Sequence, residues 1–406
     1  MKLFDKYFYN IFIIISISII LRFYLIDKYG DNILEYEWKT LFYNLKDNGT
    51  LSFRTFNGEL IPSVYMPPLY IYFIYIVDFF IFKNANLVKS IIICQIFISI
   101  VSIYFFYKIN LFFFSKKMSL FSTCFFSFFP INIYSCLQIS SITIQILLNI
   151  VFLYLILKII KKNNNYKQIF ILGVISGLTI LLRGEFILIF LSTMLFLLIY
   201  KKVKLKDIII IILISLISIS PYLTRNYLTF GKLTITKSIG YNLWKGNNID
   251  SIVEGSESLR AFNFDDIDKK INSIPKNKLY DFNYDKIFLE SSIKFIKNDP
   301  VLFIERYIKK FLTFTFLNLD SNYPNYNNLL NILPLCMVGI LFICSLIFSY
   351  KNDSVFKKYI IFNVFLTIAI FSIFFILPRY KLIILPIQII IANFFIIKCL
   401  IYKKIK

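Results

Sequence analysis

The chain has 406 residues, 58% hydrophobic and 19% aromatic, with a mean hydropathy of +0.70 and a formal net charge of +22. A water-soluble fold cannot bury that much apolar surface, so the solvent must be a bilayer, crossed by helices of roughly 20 residues. The lysines lie in short segments between apolar runs, a positive-inside pattern that argues against nucleic acid as the partner, and the lack of histidine removes the commonest general base and zinc ligand.

In chain order, spans are expected at 8–26, 88–107, 118–136, 143–160, 168–182, 184–200, 208–223, 330–350, 359–377 and 381–402. Runs such as 208–219 are apolar at nearly every position, which excludes the alternation of a membrane barrel. The first run lacks a small-residue cleavage site and reads as a retained span. Segment 68–82 is short, opens at Pro67-Pro68 and carries Asp78. If it does not cross, the lysine-rich connections 1–7, 108–117, 161–167, 201–207, 351–358 and 403–406 all share the cytoplasmic face. The fold class expected is an all-α polytopic membrane protein of about ten spans with both termini inside. Its parts are an N-terminal transmembrane core over 1–223 with a first external loop at 27–87, an extracytoplasmic region over 224–329, and C-terminal helices over 330–406. The six cysteines sit inside apolar runs without a C-x-x-C pair and read as packing residues. No internal or inverted repeat is visible.

The informative polar residues gather on the expected outer face. Asp31, Glu35 and Glu37 lie in a stretch that reads as a helix running from Gly30 through Asn44-Leu45. That spacing puts Asp31 and Glu35 on one face and Glu37 on another. The alternatives are substrate-facing acids or a solvated helix face. Arg183-Gly184-Glu185, Arg225-Asn226 and Arg379-Tyr380 place arginines at three external ends. They suit an anionic group such as a lipid phosphate, and equally suit helix ends where a lone arginine snorkels. Tyr241, Asn242, Trp244, Asn247 and Asn248 set amides beside aromatics, as sugar recognition and turn-rich loops both do. An amphipathic stretch at 284–297 is expected to lie on the membrane surface.

Taken in order, these pieces resemble the GT-C superfamily of membrane glycosyltransferases, in particular bacterial relatives of the dolichyl-phosphate-mannose–protein mannosyltransferases and aminoarabinose transferases. The signals are Leu21-Arg22 closing the first span, the acidic stretch with Asn44-Leu45 and Gly49, Pro67-Pro68-Leu69-Tyr70, and Pro130. Leu182-Arg183-Gly184-Glu185 follows, then Pro221-Tyr222-Leu223-Thr224-Arg225-Asn226-Tyr227 through Gly231-Lys232 to Asn247-Asn248, and Arg379-Tyr380-Lys381 before Pro386.

The resemblance implies a bacterial inner-membrane enzyme whose site faces outward. A polyprenyl-phosphate-linked sugar is its lipid donor, and its acceptor is a glycan, a lipid or a protein. An acidic residue of the first external loop acts as base, basic residues hold the departing phosphate, and transfer inverts the sugar. Two departures stand out. Relatives carry a carboxylate in a register that here falls on Leu34, which ranks Asp31 first, Glu35 second and Glu37 third. Relatives also carry an acid where this chain has Ser140-Ser141, which leaves no second carboxylate there and counts against a metal-assisted variant; no cofactor is expected as certain, and a divalent metal stays an alternative. The alternatives are a transporter or flippase of lipid-linked glycans, and a surface-polysaccharide polymerase or ligase.

Overall fold

The computed structural model describes residues 6–80, 85–161, 165–254, 265–321, 326–348 and 354–405, and these are predominantly helical. Helix α1 (Lys6–Tyr29) is followed by α2 (Tyr36–Asn48), a hairpin of β1 (Ser52–Phe56) and β2 (Glu59–Pro62), and α3 (Leu69–Phe80). A run of helices comes next: α4 (Leu87–Asn110), α5 (Lys116–Ser127), α6 (Pro130–Leu137), α7 (Ile142–Ile160), α8 (Tyr166–Leu182), α9 (Phe186–Ile199) and α10 (Leu205–Phe230). Shorter elements α11 (Ile239–Gly246), α12 (Asp265–Asn272), α13 (Tyr280–Asn298) and α14 (Pro300–Thr315) lead into α15 (Leu329–Phe348) and α16 (Val355–Ile373). A 3-10 segment, Pro378–Ile383, and α17 (Leu385–Ile405) complete the chain.

Six helices, α1, α4, α7, α10, α15 and α16, are long and apolar enough to cross a membrane, and the pair α5–α6 makes a seventh if its 52° bend is one span. The spans expected at 168–182, 184–200 and 381–402 coincide with the shorter apolar helices α8, α9 and α17. Helix α10 also runs past the expected limit at 223, on to Phe230.

The chain returns to the end of the bundle at which it leaves α1. Asp27, near the end of α1, pairs with Lys89 in the first turn of α4 at 2.9 Å. Helix α3 has 12 residues, so it is about 18 Å long and too short for a hydrocarbon core of about 30 Å. At the far end of α4 the lysine-bearing connections meet. Lys161 lies over Phe112 at 5.8 Å, Phe112 faces Phe356, Lys357 lies over Phe394 and Lys358 over Tyr200.

Pro130 explains the bend in the α5–α6 pair. It pushes Phe129 into extended backbone (φ −66°, ψ 122°) and starts a new helix at the position that tolerates a missing N–H. The carbonyls freed at the end of α5 find side-chain donors: Arg22 Nη2 donates to Ser127 O at 3.1 Å and Asn132 Nδ2 to Phe126 O at 3.0 Å. Arg22 therefore does not close the first span as expected. It is fully buried, also bonds Ser18, and α1 continues to Tyr29. An apolar interior leaves such carbonyls no water, so the arginine stands where its donors are needed.

Helix α8 approaches α10 through Gly173 and Gly177, four residues apart on one face. A Cβ on Gly177 would stand 2.6 Å from Ser218 Cβ and 2.9 Å from Ser215 O. Gly177→Leu is expected to cost about 1–3 kcal/mol through overpacking, read as a lower melting temperature of the detergent-solubilised protein. An unchanged melt would mean that the two helices do not meet there.

The surface helix differs from expectation. The apolar side of α13 is buried, with Phe288 packed against Tyr241 and Trp244 of α11 at 5.2 and 5.0 Å. Gly240 makes that approach possible, because a Cβ there would meet Asp285 O at 2.2 Å. Instead α14 carries the exposed apolar stripe, Val301, Ile304, Ile308 and Leu312.

Candidate active site

Asp31 is placed by backbone geometry outside any helix. Its N–H donates to Leu137 O at 3.2 Å, and its Oδ2 accepts the Ile139 N–H at 2.6 Å. The turn between α6 and α7 thus holds both the main chain and one carboxylate oxygen, while Gln138 Nε2 donates to Tyr29 O at 2.7 Å. Burial raises the Asp31 carboxyl above its ordinary value, and the Ile139 N–H and the Arg379 guanidinium pull it partly back.

Arg379 stands in the 3-10 segment and links Asp31 to the second arginine. Arg183 lies within the electrostatic field of Arg379, 4.9 Å from the centre of the Tyr380 ring and 3.8 Å from Glu185. The break between α8 and α9 leaves Arg183 half-buried: its backbone is extended (φ −148°, ψ 105°) and its N–H closes α8 on Thr179 O. Asp31, Arg183, Glu185, Arg379 and Tyr380 are therefore brought together at one end of the bundle, from three separate stretches of chain.

The helix expected from Gly30 begins only at Tyr36, because the backbone at Asp31 is engaged with the α6–α7 turn. Asp31 and Glu35 consequently do not share a helix face. Glu35 is exposed just before α2 and, with Asp31, acts electrostatically on Tyr70. Glu37 occupies the first turn of α2, where a carboxylate complements the helix dipole, and acts on Tyr65. Leu34, the register position of the relatives' acid, is a core residue.

Other expected residues have structural partners. Arg225 donates to Ser63 O at 3.1 Å, Leu51 O at 3.3 Å and Asn226 Oδ1 at 2.8 Å, and Asn226 Nδ2 donates to Thr234 O at 2.6 Å. Together they fasten the 51–63 stretch and the loop after α10 to the end of that helix. Tyr241 and Trp244 are buried with Tyr65 and Phe288 in an aromatic cluster. Asn247 Nδ2 donates to Leu243 O and Ile373 O, Asn248 Nδ2 to Trp244 O, and the Asn247 Oδ1 accepts from the buried ammonium of Lys310. Asn242 is exposed, and its carbonyl accepts the Phe375 N–H.

Three features were not foreseen. The β hairpin turns at Asn57-Gly58, both with positive φ (51° and 84°), a pair that was the available signal. Arg54 on β1 lies against the rings of Tyr280 and Tyr284, at 4.9 and 4.6 Å, and 3.5 Å from Asp281. Lys381 pairs with Glu254 at 3.2 Å and donates to Tyr326 OH at 2.7 Å, all three buried. Nothing in local sequence pairs residues so far apart. Among the described residues no group of three or more acidic, cysteine or histidine side chains could hold a metal ion, so no step is derived through one.

Fold and site together define a polytopic helical membrane protein with a cluster of two acids and two arginines at one end of its bundle. Residues 66–224 match the family model of the dolichyl-phosphate-mannose-protein mannosyltransferases, which are membrane glycosyltransferases of the GT-C type. The matched stretch contains Arg183 and Glu185, whereas Asp31 and Arg379 lie on either side of it. No curated protein matches the chain.

Proposed function

We propose that the protein transfers a sugar from a polyprenyl-phosphate donor to an acceptor hydroxyl at the extracytoplasmic face of a bacterial inner membrane. About ten crossings, with α8, α9 and α17 as the short ones, keep the lysine-rich connections in the cytoplasm. The observation that carries this function is the convergence of Asp31, Arg379 and Arg183 in a chain with the mannosyltransferase match.

The acceptor oxygen attacks the sugar C1 from the side opposite the phosphate. The Asp31 carboxylate takes the hydroxyl proton. The C1–O bond breaks with its electron pair going to the phosphate, which leaves as polyprenyl phosphate, and the configuration at C1 inverts. Arg379 and Arg183 stabilise the charge that grows on the leaving oxygen, as planar donors suited to phosphate. Glu185 and the Tyr380 ring orient Arg183.

The test places purified protein in liposomes with polyprenyl-phosphate carrying radiolabelled sugars, mannose first, and membrane extracts as acceptors. Label should move from the carrier to a new acceptor. Label that stays on its lipid and changes leaflet would replace this function with that of a flippase. Use of lipid-diphosphate donors alone would point to a polymerase or ligase.

A further inference from the structure

We infer that Gln95 is a positioning residue: by holding the α6–α7 turn it aims the Ile139 N–H at Asp31 and so sets the carboxylate for proton transfer. This rests on Asp31 serving as the base.

Gln95, on α4, is fully buried. Its Nε2 donates to Gln138 O at 2.8 Å and to Cys136 O at 3.2 Å, and its Oε1 accepts from Tyr70 OH at 2.8 Å. The two carbonyls belong to the end of α6, where a helix leaves its last acceptors without intrahelical partners. In an apolar interior such acceptors must find donors, and one side-chain amide serves both. Tyr70 fixes the amide from the other side; it is itself buried, with Trp38 edge-on at 4.8 Å. The bonded carbonyls flank Leu137, whose own carbonyl receives the Asp31 N–H, and the next residue, Ile139, supplies the N–H to Asp31 Oδ2. Gln95 thus bonds two carbonyls of this turn with one amide. Losing its bonds frees the turn to rotate toward other donors, and the Ile139 N–H turns with it.

A buried glutamine could equally serve stability alone, so the test must read what stability does not move. The full-length protein in nanodiscs is compared with Gln95→Met, which keeps the volume and removes both donors and the acceptor. Amide hydrogen exchange over residues 137–141 is expected to speed up by about 10–100-fold, the equivalent of one or two lost buried bonds. In the transfer assay kcat should fall about 10–100-fold, with the donor KM within about 3-fold. The acid limb of the pH–rate profile should move to higher pH, because the Ile139 N–H favours the charged carboxylate and its loss raises the carboxyl.

Exchange at 137–141 as slow as in the wild type, or an acid limb that stays in place, overturns the assignment. If Gln95→Met fails to fold, Tyr70→Phe carries the test. That variant leaves the carbonyl bonds but unpins the amide, and should give a smaller rise in exchange at the same residues; no rise overturns the proposal as well. Full transfer by Asp31→Asn would instead remove the base from the proposed mechanism while leaving the exchange result intact, so the two failures are distinguishable.

Discussion

Asp31→Asn is expected to lower transfer by about 10²–10⁴-fold, the range of a lost general base, while binding of the polyprenyl-phosphate donor stays near normal. The amide is close in shape to the carboxylate. Its oxygen can still accept the Ile139 N–H, so the turn bracketing residue 31 should persist. What disappears is the proton acceptor and the negative charge beside Arg379. Glu35→Gln and Glu37→Gln remove carboxylates that act on Tyr70 and Tyr65, and should each cost under about 10-fold. The wild-type rate should fall as the pH drops through the Asp31 value, because the base works only ionised. Since burial raises that carboxyl, the acid limb should lie above the ordinary range for aspartate. Single-turnover transfer and donor binding measured on the three variants decide the matter. A larger loss for Glu35→Gln than for Asp31→Asn would move the role to Glu35.

The general architecture is legible in the residues because lipid imposes a simple rule. Long apolar runs must be helices, and lysine parity sorts their connections. The same parity leaves α3 on one side, and the Asp27–Lys89 pair brings the end of α1 to the start of α4. Bends and close contacts are less visible. Pro130 inside an apolar run signals a break only once the donors of Arg22 and Asn132 are seen to meet the freed carbonyls. The Gly173 and Gly177 spacing does signal a close helix pair, but not which partner they meet. At the site, three arginines at helix ends look alike in sequence. Only tertiary contact separates Arg225, spent on Ser63 and Leu51, from Arg183 and Arg379, which share the surroundings of Asp31. The stretch at 241–248 is ambiguous in sequence for a related reason. Amides beside aromatics suit a sugar, yet they also suit the inside of a packed layer, where Asn247 and Asn248 satisfy carbonyls and Trp244 meets Phe288.

Lys381→Met should destabilise the protein by about 3–5 kcal/mol, the cost of leaving a buried charge without its partner. Glu254 is 1% exposed and Lys381 3%. The ammonium also donates to Tyr326 OH, and Glu254 is bridged through its backbone to Ile376, so the pair joins two stretches to the 3-10 segment carrying Arg379 and Tyr380. Burial raises the Glu254 carboxyl although Lys381 and Ser321 pull it down. Desolvation therefore outweighs the pairing, and the pair as a whole adds little stability even though each half needs the other. The double variant Glu254→Leu, Lys381→Met should accordingly recover most of the loss of the single one, to within about 1–2 kcal/mol of the wild type. Thermal melting of the single and double variants in detergent measures this. If the double variant is as unstable as the single, the pair supplies net stability through its bonds to Tyr326 and the neighbouring chain. If it recovers, the charges are kept for something other than stability. Lys381 stands two residues beyond Arg379, which makes the orientation of that guanidinium the property to compare next, through the transfer rate of the recovered double variant.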